Sequence, residues 1–125
     1  MTGLILGADR KAIRIVIDRD GQVVDETVAI TALDRHELAR IEPILAEHGV
    51  SWAAIDELGV LILPHSHTSV RITTTLATVA GWVYDRPIVR IEVPQLGSES
   101  AGRLLRRLRA RLASTSERES RRADD

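Results

Sequence analysis

The stretch LGVLILPHSHTSVRITTTLATVAGWVYDRPIVRIEV, residues 58–93, decides the fold class. Its first six residues, LGVLIL (58–63), form a continuous apolar run, as in a strand buried on both faces. In SVRITTTLATVAGWVYD (69–85), Ile72, Leu76, Val79 and Val83 recur at helical spacing. That stripe predicts a helix, despite the β-branched residues, with these four side chains toward a sheet. PIVRIEV (87–93) then reads as a further strand. Strand, helix and strand in succession imply a parallel crossover unit.

Upstream, LILGA (4–8), AIRIVID (12–18) and QVVDETVAI (22–30) read as three strands, the latter two alternating apolar and polar residues. The Asp20-Gly21 pair is a hairpin signal, so the three form an antiparallel meander. A helix is predicted over 34–48, with Asp34 as N-cap, Glu37 three residues on, and Gly49 as its stop. Pro43 is expected to kink it. SWAAIDE (51–57) reads as a turn or helical stub behind a Ser51 cap. ESAGRLLRRLRARLAS (99–114) is amphipathic, with Leu104, Leu105, Leu108 and Leu112 on one side. The order is β-β-β-α-β-α-β-α: an α/β chain with a mixed five-stranded sheet, as in the ribonuclease H-like fold. The expected organisation is one lobe over 1–114, closed by the amphipathic helix, and a polar tail at 115–125.

Composition narrows the chemistry. With no cysteine there is no disulfide, thiolate metal site or thiol nucleophile. The opening MTGLILGADRK is too short an apolar run for a signal peptide, and nothing approaches a membrane span, so a cytoplasmic location is expected. Residues 1–97 carry 9 basic and 13 acidic groups, a poor footprint for direct nucleic-acid binding. Aromatic residues are scarce: Trp52, Trp82, Tyr84 and no Phe.

Between Gly49 and Ile91 the chain resembles the YeaZ/TsaB family, the accessory subunit of bacterial tRNA threonylcarbamoyladenosine synthesis. The residues matching that family's pattern are Gly49, Ser51, Asp56, Val60, Pro64, Ser66, Thr68, Arg71, Ile72, Ala77, Pro87 and Val89. LILGADR also resembles the family's opening, with Asp9 in place of its aspartate. The resemblance covers about residues 3–95, one lobe of a two-lobed actin/Hsp70-type protein. Where the family carries a glycine-rich GPGSFTG loop and a further glycine, this chain has Leu63, His65, Ser69 and Thr73. Losing those glycines removes the freedom that lets backbone N–H groups approach a phosphate. The resemblance therefore implies a non-catalytic module without a cofactor. It also implies pairing through helices 34–48 and 69–85, as a homodimer or with a threonylcarbamoyltransferase-type subunit, touching tRNA only indirectly and no membrane. The expected interface residues are Arg71, Thr75, Ala77, Thr78, Gly81 and Trp82.

A different reading starts from chemistry. Asp9, at the end of the first strand, with His65 and His67, could serve a small metal-dependent nuclease or hydrolase. That reading needs a third ligand such as His36 or His48, or further acids from Asp56, Glu57 and Asp85. The His-x-His spacing otherwise belongs to a polar loop between strand and helix.

Overall fold

A computed structural model describes residues 1–30 and 40–124, with side chains as far as 115. Strands β1 (Thr2–Ala8), β2 (Ala12–Arg19) and β3 (Gln22–Ala29) form the antiparallel meander. Asp20 (φ 53°) and Gly21 (φ 92°) are both left-handed, the backbone of a type I′ hairpin turn. After helix α1 (Ile41–Glu47) and a 3₁₀ turn (Trp52–Ala54), β4 (Glu57–Ile62) pairs parallel with β1. Helix α2 (His67–Val83) crosses to β5 (Ile88–Glu92), which pairs parallel with β4. The sheet order is β3-β2-β1-β4-β5, and helix α3 (Ala101–Asp124) follows. The backbone of α3 runs ten residues past the expected end at 114. Asp34, His36, Glu37 and Leu38, in the first half of the expected 34–48 helix, lie outside the described residues. Pro43 falls in the first turn of the described α1, where its missing N–H forfeits no intrahelical bond.

Two cores fill the two faces of the sheet. Leu4, Leu6, Ile13, Ile15, Ile17, Leu58 and Val60 meet Ala77 of α2 and Ile41 and Leu45 of α1 on one face. On the other, Ile5, Val16, Leu61, Val89 and Ile91 pack against Leu104, Leu105 and Leu108 of α3. Ser100 caps α3, its hydroxyl accepting the Arg103 N–H at 3.2 Å. The α2 and α3 helices thus lie on opposite sides of the sheet, and α3 does not cover the outer face of α2.

The buried face of α2 is not the stripe that hydrophobicity picks out, although Leu76 of that stripe packs against the core. Ser69, Thr73, Ala77 and Gly81 are buried, while Val79 and Val83 are more than half exposed, at 53% and 55%. The sheet's own Ile and Leu side chains fill the space beneath the helix, so small residues every fourth position let its backbone settle onto them. Thr73 is fully buried and returns its hydroxyl to the Ser69 and Val70 carbonyls. Ala77 and Gly81, expected at an interface, are therefore core residues. A Cβ at Gly81 would stand 2.7 Å from the Arg86 carbonyl oxygen and 3.0 Å from Ile88. Gly81→Ala is expected to lower stability by about 1–3 kcal/mol in denaturant melts. An unchanged midpoint would place this helix end elsewhere.

Ion pairs tie the layers together. The Arg109 guanidinium from α3 reaches the side chains of Asp18 on β2 and Glu57 on β4, whose residues are only 5% and 8% exposed. The Asp18 hydrogen bond first, then Glu57, raises the Arg109 pKa above its ordinary value, against desolvation. A raised basic pKa contributes stability below the unfolded value and loses it only as pH rises through the folded one. This contribution therefore stays constant through neutral pH.

Candidate functional site

The loop between β4 and α2, carrying Pro64, His65 and Ser66, sits at the carboxyl ends of the parallel strands, where open α/β sheets place ligands. A cleft of about 490 Å³ opens there, lined by Asp9, Arg10, Lys11, His65, Ser66 and the segment 94–97. Asp9 and His65 do share this cleft. His67 does not: it begins α2 and lines a separate groove on the far side of Pro64. His65 stays in the loop while His67 begins the helix, so the two imidazoles line different clefts.

The carboxylates expected to join Asp9 lie far from it. Asp9 closes the β1–β2 turn, one oxygen accepting the Lys11 and Ala12 N–H groups at 2.7 and 2.8 Å. Asp56 and Glu57 precede or begin β4, at the opposite end of the parallel β1–β4 pair. Asp56 accepts the Thr2 N–H at 2.8 Å, and Glu57 faces Arg109. The length of β1, roughly 20 Å, separates these acids from Asp9. Asp85 follows the C-terminus of α2, again at that distant end. His48 lies beside Glu26, with Nε2 3.3 Å from Oε1, and Glu47 completes a cluster on β3 and α1. Among the described residues that is the one group of three potential metal ligands, and it includes neither Asp9, His65 nor His67. Among the described residues, none of the acids expected to join Asp9 in a two-metal centre lies beside it.

The outer face of α2 is distinctive. Arg71, Thr75, Thr78 and Trp82 are exposed along it, with Val79 and Val83 beside them. Trp82 is 84% exposed and Tyr84, just beyond the helix, 38%. Tyr84 and the half-buried Trp52 line a cleft of about 300 Å³ with Glu42, Leu45 and Ala46 of α1. The chain's two tryptophans and its tyrosine thus stand on this side of the molecule, and none is part of the fully buried core. Trp82 was expected at an interface from the sequence, whereas Tyr84 and Val79 were not. The scarcity of aromatic residues in an aliphatic chain was the signal for Tyr84.

No family model and no curated protein matches the chain. Among solved structures it is similar to YeaZ from Pseudomonas aeruginosa, with 21% identity and a TM-score of 0.63. The fold is YeaZ-like. An uncharacterized protein with similarity to peptidase YEAZ from Pseudomonas aeruginosa matches similarly, at 22% identity and a TM-score of 0.62. The first match covers 74% of this chain and 45% of that one, the second 73% and 43%. The chain spans less than half the length of these YeaZ-like structures. The mixed α/β sheet and the YeaZ resemblance expected from residues 49–91 are both present in the fold. No helix among the described residues is long and apolar enough to cross a membrane.

Proposed function

We propose that the chain is a non-catalytic, YeaZ-like interaction module that pairs with a second copy of itself through the outer face of α2. The observation carrying this reading is the exposure of Trp82, Val79 and Val83 on one face of α2, with Tyr84 just beyond its end. Interface cores are rich in Trp and Tyr and poor in charge. Between Arg71 and Asp85 the helix carries no charged residue at all. Neither of those two side chains has an ion-pair partner among the described residues. Packing two α2 helices antiparallel about a twofold axis brings Arg71 of each copy toward Asp85 of the other. The face is thus complementary to itself at both ends and uncharged between them. A role in tRNA threonylcarbamoyladenosine modification, or pairing with a threonylcarbamoyltransferase-type subunit, rests on the family resemblance. The altered loop at Leu63, His65, Ser69 and Thr73 supports a scaffold over a catalyst. The cytoplasmic location is part of the same reading.

Light scattering tests the pairing. The chain is expected to run as a dimer, Arg71→Glu to weaken it, and Arg71→Glu combined with Asp85→Arg to restore it. A monomer at high concentration, or no rescue by the double variant, overturns the antiparallel pairing.

A further inference from the structure

The groove that receives His67 is larger than the Asp9 cleft, about 770 Å³, and wraps the free edge of β5 between α2 and α3. Its floor is apolar: Ile62, Leu63, Pro64 and Val70. Its walls carry four guanidinium groups, Arg71 from α2, Arg90 from β5, and Arg107 and Arg111 from α3. Glu92 is the single carboxylate among the lining residues. Arg107 is held in place by the Glu99 carboxylate and the Glu92 carbonyl oxygen, the latter at 3.0 Å. Arg71, Arg90 and Arg111 have no such partner among the described residues, and all three are exposed. A chain of net charge −1 thus gathers three unpaired cations around one concavity, against their mutual repulsion.

Guanidinium groups present planar pairs of N–H donors that match phosphate oxygens. The volume falls within the range of small-molecule sites, and the half-apolar lining suits a ligand with a non-polar body.

We infer that this groove is a binding site for a small organic phosphate, most simply a diphosphate ester, held by Arg71, Arg90, Arg107 and Arg111 over an apolar floor. Helix α3 contributes Arg107 and Arg111 to the site, beside Arg71 of α2 and Arg90 of β5. The site is separate from the Asp9 cleft and shares only Arg71 with the proposed pairing face of α2. Charged Arg90 and Glu92 on the free edge, with Arg107 on the Glu92 carbonyl, also oppose strand addition by a peptide there.

Inorganic pyrophosphate is the probe, titrated calorimetrically into the full chain at fixed ionic strength with sulfate as the control anion. Saturable binding of pyrophosphate in preference to sulfate is expected. Arg90→Ala and Arg111→Ala should each weaken it roughly tenfold, as loss of a charge-assisted hydrogen bond does. Both residues are exposed, so circular dichroism should show the fold unchanged. Arg10→Ala combined with Lys11→Ala, in the neighbouring cleft, should leave binding intact. Equal binding of sulfate overturns the inference, as does loss of binding only in the Arg10/Lys11 variant. Binding of a single-stranded oligonucleotide without pyrophosphate would also overturn it, in favour of a nucleic-acid surface.

Discussion

Replacing Arg14 with methionine is expected to lower the free energy of unfolding by about 3 kcal/mol, the scale for breaking a buried ion pair. The Arg14 side chain is only 6% exposed, in the middle of β2. Its Nε and Nη2 donate to the two Asp25 oxygens on β3, at 3.0 and 2.8 Å. Its Nη1 donates to the Leu96 and Glu99 carbonyls, at 2.9 and 2.8 Å. One side chain therefore pins the segment between β5 and α3 onto the sheet, across more than 80 residues of sequence. Methionine keeps the stem and removes all four hydrogen bonds. Asp25 is partly open to water and recovers some solvation, which holds the loss near the lower end of the range for buried pairs. For a domain of this size the melting temperature should fall by about 10 °C. Lysine at the same position should rescue little, because a single ammonium group cannot span both Asp25 oxygens and two carbonyls. A loss below about 1 kcal/mol would show that the segment is held by its apolar contacts alone.

Trp82→Glu is expected to abolish self-association while leaving the fold intact. The indole is 84% exposed, so the folded chain loses almost no contact when it is replaced. Surface substitutions of that kind stay within about 0.5 kcal/mol. Within a twofold interface the same change acts twice, burying two carboxylates where two indoles packed. Truncation of a tryptophan hot spot alone typically costs 2 kcal/mol or more, roughly thirtyfold in the dissociation constant. Sedimentation should therefore show a dimer for the parent chain and a monomer for the variant at the same concentration, with the same circular dichroism spectrum. A variant that loses its native spectrum would instead mark Trp82 as part of the fold. One that remains dimeric would move the interface off α2.

The legibility of this chain differs from element to element. The meander, its Asp20-Gly21 turn and the β4–α2–β5 crossover follow from short-range pattern, and all are present. The start of α2 lay two residues earlier than periodicity placed it, enough to send His65 and His67 to different clefts. The orientation of α2 was misread because Ile72, Leu76, Val79 and Val83 are more hydrophobic than Ser69, Thr73, Ala77 and Gly81. Hydrophobicity ranks side chains one by one, whereas packing depends on the room the opposing surface leaves. The arginines of the last helix looked alike in sequence. In the structure Arg109 joins Asp18 and Glu57, Arg107 joins Glu99, and Arg111 faces the groove.

What the sequence determined by itself is therefore local and periodic: where strands and helices run, the parallel crossover, and a retained Pro64, Ser66, Thr68 and Arg71 frame without its glycines. Only the tertiary structure decided which face of α2 is buried, that Asp56 and Glu57 lie a sheet's length from Asp9, and that Arg71, Arg90, Arg107 and Arg111 line one groove. The physical reason is separation along the chain. An element's period is set by its own backbone geometry, but a site is assembled by side chains from distant elements whose meeting depends on how the whole sheet is filled.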